Sequence, residues 1–234
     1  MRATATRCRI RLMDAGDIPQ VLDIERQSFP TMWPQTVYQR ELKNKMARYF
    51  VAYEPADQEG GGADPPEAAS PHERVAARVR RFFGGLPLPE TRRERILGLV
   101  GLWLVMGEGH IVTIAVRQDC RREGIGELLL VASLEAAIDA RQDVVTLEYR
   151  FSNLAARALY EKYGFAQVGV RARYYSDNQE DAVLMTTPPL RSSGFRQLLG
   201  RRVADLRARW GDGFPLDGPP EWLRSAPSEV EAEG

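Results

Sequence analysis

Hydrophobic spacing switches along the chain between a period of two and the helical period, and the switches predict its elements. Cys8 to Met13 sets arginines between apolar side chains and reads as a first strand. Asp14 and Asp17 follow as N-cap candidates. Ile18, Val21, Leu22 and Ile24 then recur at helical spacing, so a helix is expected that stops near Pro30. Pro34 suits the first turn of a second helix, running to about Lys45. Tyr49 to Tyr53 is a short β-rich run. Two further strands are predicted, Ile96 to Met106 and His110 to Val116, joined by the hairpin loop Gly107-Glu108-Gly109. Gly124 to about Ala140 reads as a helix with Ile125, Leu128, Leu129, Ala132 and Ala136 on one face. Val144 to Tyr149 is a buried strand by its β-branched content. Asn153 to Tyr163 is a helix with Gly164 as its C-cap. Gln167 to Tyr174 and Asp181 to Thr186 form a closing strand pair before Pro188-Pro189.

Two stretches break this pattern. Glu54 to Glu73 is rich in Pro, Gly, Ala and acidic residues, with too little apolar surface to order itself. Arg74 to Phe83 follows as a short basic amphipathic helix. Residues 55–94 are therefore expected as an insertion between two strands of a single domain spanning 1–188. The extension 189–234 offers a basic amphipathic helix from Phe195 to Trp210, carrying Leu198, Leu199, Val203 and Leu206. Its Pro-, Gly- and acid-rich end predicts disorder.

Composition then narrows the function classes. The 234 residues are 44% hydrophobic, enough for an ordinary core. Lys plus Arg and Asp plus Glu both number 32, so the chain lacks the cationic excess of a nucleic-acid coat, and no direct nucleic-acid partner is expected. Cys8 and Cys120 show neither metal spacing nor a disulfide framework and fit free thiols in a reducing cytoplasm. His72 and His110 are isolated, so no protein metal site is expected. The first residues lack an apolar run, and Ile96 to Met106 is too short to span a bilayer. A cytoplasmic protein without a membrane partner is expected.

The chemistry concentrates in Arg121-Arg122-Glu123-Gly124-Ile125-Gly126, between a predicted strand and a predicted helix. Glycine lets the main chain approach a ligand closely. The first turn of a helix has unpaired N–H groups and a positive dipole end. Together they suit an anion of pyrophosphate size, with Arg121 and Arg122 able to add charged contacts. Taken alone, the loop also fits a tight strand-to-helix turn that binds nothing. A dinucleotide fingerprint is excluded by the missing third glycine and ribose-binding acid, and a Walker loop by the missing Gly-Lys-Ser/Thr.

Arg121, Gly124 and Gly126, directly after Ile114-Ala115-Val116, resemble the pattern of the GNAT superfamily of N-acetyltransferases. Three further segments are similar to its RimI subfamily of ribosomal-protein-alanine N-acetyltransferases. They are Arg150-Phe151-Ser152-Asn153 through Leu159-Tyr160-Glu161 to Gly164-Phe165, the run Val168 to Met185 with Tyr174-Tyr175, and Ser28-Phe29-Pro30 with Trp33. The likeness covers residues 8–54 and 95–188. It departs from the family at Arg117-Gln118, where Asp-Pro or His-Pro is common, and in carrying the insertion.

The resemblance implies an α/β (α+β) fold: a mixed central sheet of six to seven strands flanked by about four helices, with splayed central strands forming an acetyl-CoA cleft. It implies that Ile114, Ala115 and Val116 bond the pantetheine arm, and that the loop Arg121, Arg122, Glu123, Gly124, Ile125, Gly126 and Glu127 holds the pyrophosphate. Asn153 caps its helix and, by resemblance, also meets acetyl-CoA. Glu148 matches the general base and Tyr160 the general acid. A free α-amine has a pKa of about 8, so attack on a thioester needs a proton acceptor. Glu148 otherwise reads as a strand-end carboxylate pairing Arg150, and Tyr160 as a core-packed tyrosine with its hydroxyl at the surface. Trp33, Tyr174 and Tyr175 line a peptide slot or simply pack. The implied acceptor is the N-terminal alanine of protein eighteen of the small ribosomal subunit. A small-molecule amine, a non-catalytic CoA-binding module and a ribosome-associated basic peptide binder stand as alternatives.

Overall fold

In a computed structural model that describes residues 8–29, 38–55 and 94–216, the alternating segments form one seven-stranded sheet. Its strands are β1 (Arg9–Leu12), β2 (Ala47–Glu54), β3 (Arg95–Val105), β4 (Glu108–Val116), β5 (Val144–Arg150), β6 (Ala166–Tyr175) and β7 (Glu180–Thr186). The α-helices among these residues are α1 (Ile18–Ser28), α2 (Tyr38–Glu41), α3 (Ile125–Asp139), α4 (Leu154–Lys162) and α5 (Ser193–Trp210). The sheet order is β1-β2-β3-β4-β5-β7-β6. Every pairing is antiparallel except that of β4 with β5.

That parallel pair is short. It runs from Glu108 opposite Val144 to Ile111 opposite Leu147 and stops. Just there the β3–β4 register slips. Gly101 faces Thr113 while Leu102 faces Ile111, so Val112 is an extra residue. A bulge of this kind bends its strand and sharpens the twist. Past it β4 stays with β3 as far as Val116, and β5 stays with β7 as far as Arg150. The two central strands therefore part, leaving the β5-facing edge of Val112 to Val116 without a strand partner among the described residues.

Several local expectations change. The β3–β4 turn is Met106-Gly107, with φ of 49° and 86°, the two left-handed positions a tight hairpin turn requires. Glu108 and Gly109 belong to β4. Gly109 is small for another reason: a Cβ there would lie 3.2 Å from the side chains of both Ala137 and Val145. Asp14 caps the preceding 3-10 turn, accepting from the Gly16 N–H, while Asp17 stands at the N-cap of α1 without a side-chain cap bond and accepts from the Asp14 N–H instead. Asp17 is buried and bonded at 2.6 and 2.8 Å to Arg11. α2 is a single turn that ends before Lys45. Pro34, Trp33, the Arg74 to Phe83 helix and the chain end beyond residue 216 lie outside the described residues. The last residue of β2, Glu54, pairs with the first of β3, Arg95, so the insertion leaves and rejoins the sheet at one cross-strand step.

Helices cover both faces. α1 and α2 bury Val21, Ile24 and Tyr38 against Val51, Ile96 and Leu99. On the other face α3 buries the expected Ile125, Leu128, Leu129, Ala132 and Ala136, but also Leu130, Val131, Leu134 and Ala137. A helix apolar all round is one buried all round, and the second cover is α5. Its Phe195, Leu199 and Leu206 join the same cluster. α5 runs antiparallel to α3. Trp210 lies against Gly124 and Arg209 bonds Glu127. At the other end, Arg196 offsets part of the upward shift that burial imposes on Asp139. No helix among the described residues is long and apolar enough to cross a membrane.

Gly98 holds β3 against α3 and β4. A Cβ there would come within 2.8 Å of the Ala115 carbonyl oxygen and 3.0 Å of Leu129. Gly98→Ala is expected to cost about 1–3 kcal/mol by overpacking, read from chemical denaturation midpoints.

Candidate active site

Alternation along β5 sends Val145, Leu147 and Tyr149 into the α3 side of the core, and Thr146, Glu148 and Arg150 to the opposite face. Leu147 is the last residue of β5 paired with β4. Glu148 therefore stands where the gap opens. Its side chain is only 13% exposed, and it is bonded on both oxygens. His110 Nε2 meets Oε2 at 3.0 Å and Arg171 Nη1 meets Oε1 at 3.0 Å. The hydrogen bond from His110 holds the Glu148 carboxyl below its ordinary range; burial opposes this and the nearby positive charge adds to it. His110 is oriented in turn by Thr146 Oγ1, 2.8 Å from its Nδ1, and the Thr146 hydroxyl donates to Glu108.

Arg150 is not the partner of Glu148. Its guanidinium lies 3.0 Å from Asp177, 3.1 Å from Asn178 and 3.4 Å from Glu180, and 3.8 Å from the centre of the Tyr175 ring. The β6–β7 turn offers several acceptors at once, so the guanidinium goes there. His110 was missed because spacing in sequence does not show a parallel register. His110 faces Thr146 across that register, 36 positions away.

Tyr160 stands on the other side of β5. Its ring packs edge-on to Tyr149, centroids 5.8 Å apart, and against Phe165 at 5.8 Å. It is 4% exposed, so ring and hydroxyl together are nearly all buried. Burial pushes that hydroxyl's pKa up, with Tyr175 and Tyr149 acting in the same direction. Tyr175 feels both sides of the gap. Burial first raises it to about 12, and Glu148 is among the charges that add to the shift. Tyr174 stacks edge-on to Tyr175 at 5.3 Å. Asn153 caps α4, its side-chain oxygen accepting from the Ala156 N–H at 3.1 Å.

The strand Ile114-Ala115-Val116 ends at the loop. Arg121 turns back on it: Nε donates to the Val116 carbonyl at 3.2 Å and Nη2 to Ser28 Oγ at 3.2 Å. This ties the loop to the end of α1. Arg122 has φ of 71° and Gly124 φ of 89°, flanking Glu123. For a residue with a Cβ, that conformation costs roughly 1–2 kcal/mol, the kind of strain kept at functional sites. Gly124 caps α3 without a side-chain hydrogen bond, so the cap residue supplies no acceptor to the first-turn amides of Ile125, Gly126 and Glu127. A Cβ on Gly126 would sit 3.6 Å from Val116. The Glu127 carboxylate points elsewhere. It accepts from Tyr163 Oη at 2.8 Å, from Arg209 at 2.7 Å and from Lys162, so only its backbone is available to a ligand.

A model of the Acetyltransferase (GNAT) family matches residues 56–165. An N-alpha-acetyltransferase of Sulfurisphaera tokodaii is 33% identical over 181 residues, 77% of this chain and 92% of that protein. The ribosomal protein bS18-alanine N-acetyltransferase of Escherichia coli is 38% identical over 100 residues, 42% of this chain and 68% of that protein. Among solved structures, the ribosomal-protein-S18-alanine N-acetyltransferase from Escherichia coli superposes with a TM-score of 0.56 at 23% identity, over 78% of this chain and 94% of that one.

Proposed function

The chain belongs to the GNAT family of acetyltransferases, and from that premise we propose that it acetylates the N-terminal amine of a protein, in the first place the N-terminal alanine of protein eighteen of the small ribosomal subunit. The names of the relatives support a protein N-terminus as acceptor. The observation that carries the reading is Glu148, a shielded carboxylate beside His110 and Arg171 where β4 and β5 part.

The residues fit the coenzyme the family uses. The unpaired edge of β4 at Ile114, Ala115 and Val116 suits the amide-bearing pantetheine arm. The uncapped turn at Arg122, Glu123, Gly124, Ile125 and Gly126, with the Glu127 amide, suits the pyrophosphate. When bound, acetyl-CoA supplies the acetyl group as an activated thioester. Glu148 accepts the proton of the incoming amine, directly or through water. It is a weak base, but the nitrogen grows acidic as its new bond forms. Tyr160 keeps its proton at any assay pH and offers it to the departing sulfur. Tyr174 and Tyr175 border the acceptor side. The free, buried Cys8 and Cys120 take no part, and the reaction runs in the cytoplasm.

The test is acetyl-CoA turnover on hexapeptides beginning Ala, Ser, Met or Lys, beside polyamines and free amino acids. The Ala peptide is expected to give the highest kcat/KM. Turnover of a small amine with every peptide silent would sink the proposal.

A further inference from the structure

Glu127 is 8% exposed and sits in the first turn of α3, directly after the glycine turn. Its donors come from two other helical segments. Lys162 and Tyr163 lie at the end of α4, and Arg209 near the end of α5. The next residue, Trp210, presses on the turn itself: a Cβ on Gly124 would lie 3.3 Å from its indole nitrogen. α5 also grips the segment behind Tyr160. Arg202 Nε donates to the Lys162 carbonyl at 3.1 Å, and Leu198 fills the space beside Gly164, 2.8 Å from where a Cβ would stand. One helix thus braces both the turn that opens α3 and the helix that bears Tyr160.

We infer that Arg209 and Trp210, acting through Glu127 and Gly124, are positioning residues for acetyl-CoA, so that coenzyme affinity depends on α5 being docked. This rests on the reading that the pyrophosphate meets the Gly124 turn. The physical reason is pre-organisation. Amides held in one arrangement bind an anion without first being ordered. Arg209 keeps the Glu127 carboxylate, and with it the first turn, fixed from the side opposite the sheet. Trp210 excludes other conformations of a glycine that has no side chain of its own to restrain it. Neither residue touches the reacting atoms. Coupling is reciprocal, so bound coenzyme must also hold α5 in place.

The experiment uses the full chain, coenzyme A, acetyl-CoA and the Ala hexapeptide. Arg209→Ala is expected to weaken coenzyme A binding and raise the acetyl-CoA KM about five- to tenfold, in the usual range for such coupling. The peptide KM and the kcat at saturating acetyl-CoA should not move, and Arg209→Lys should restore most of the affinity. A role in folding alone would lower Tm without that split. Unchanged acetyl-CoA KM and coenzyme A affinity in Arg209→Ala would overturn the inference. Should that variant fail to fold, hydrogen exchange on the wild-type chain decides: coenzyme A should slow amides of both 124–128 and 193–210. Slowing of 124–128 alone refutes the brace and spares the pyrophosphate reading. Coenzyme A that binds without slowing 124–128 refutes that reading itself.

Discussion

Glu148→Gln is expected to lower kcat by about 100- to 10,000-fold, the usual worth of a positioned proton acceptor, with coenzyme A affinity unchanged. Glutamine keeps the size of the side chain and its one carbonyl oxygen can still accept from His110 or Arg171, so the β4–β5 gap should keep its shape. What it loses is the capacity to take a proton. The pH dependence follows from the direction of the shift. The His110 hydrogen bond holds the Glu148 carboxyl below the ordinary carboxylate range, so it is ionised across any practical assay. A rise of kcat/KM towards pH ~8 then reports the acceptor amine, whose pKa lies near that value. His110→Ala removes the largest stabiliser of the ionised form. The Glu148 pKa should move up, towards an ordinary carboxylate, and the acid-side loss of activity should begin at higher pH. Because both side chains serve one proton path, the two substitutions should not add. Stopped-assay kinetics from about pH 3.5 to 9 at saturating acceptor, on the wild type, the two single variants and the double variant, measure all of this. A Glu148→Gln enzyme at wild-type rate would remove the mechanism.

Tyr160→Phe should lower kcat about 100-fold, the lower end for acid–base groups. The reason for the lower end is the burial of the hydroxyl, which raises its pKa. It keeps its proton through the assay range and so stands ready as the acid, but it yields that proton reluctantly to the developing thiolate. A thiol pKa near 8.5 leaves that thiolate a poor thief of a phenolic proton. The ring contacts with Tyr149 and Phe165 survive the change, so Tm should stay close to wild type. An unchanged kcat would make Tyr160 a packing residue only.

Much of this architecture is written locally. The bulk of β3, β5 and α3, and the Asn153 cap, follow from periodicity and capping chemistry, because each depends on residues within a turn or two. The glycine turn before α3 is equally local. What the sequence could not display is pairing across distance. His110 looked alone because its partner is fixed by a parallel register. Arg150 was matched with Glu148 two residues away, whereas acceptors on the β6–β7 turn outbid it. The apolar ring around α3 read as one face because its second cover, α5, comes after a pair of prolines that resemble a stop. Glu127 gave no hint in the sequence that three donors from later segments converge on it.

The cross-strand step between Glu54 and Arg95 has a bearing on how such a chain diversifies. Where a long segment leaves and returns at adjacent paired residues, its ends are already held together by the sheet. Each doubling of its length then adds only about 0.6 kcal/mol of closure entropy. Going from four residues to forty would add only about 2 kcal/mol. Evolution can therefore swap, lengthen or trim that segment as an accessory, with the β4–β5 gap on the far side of β3 left as it was.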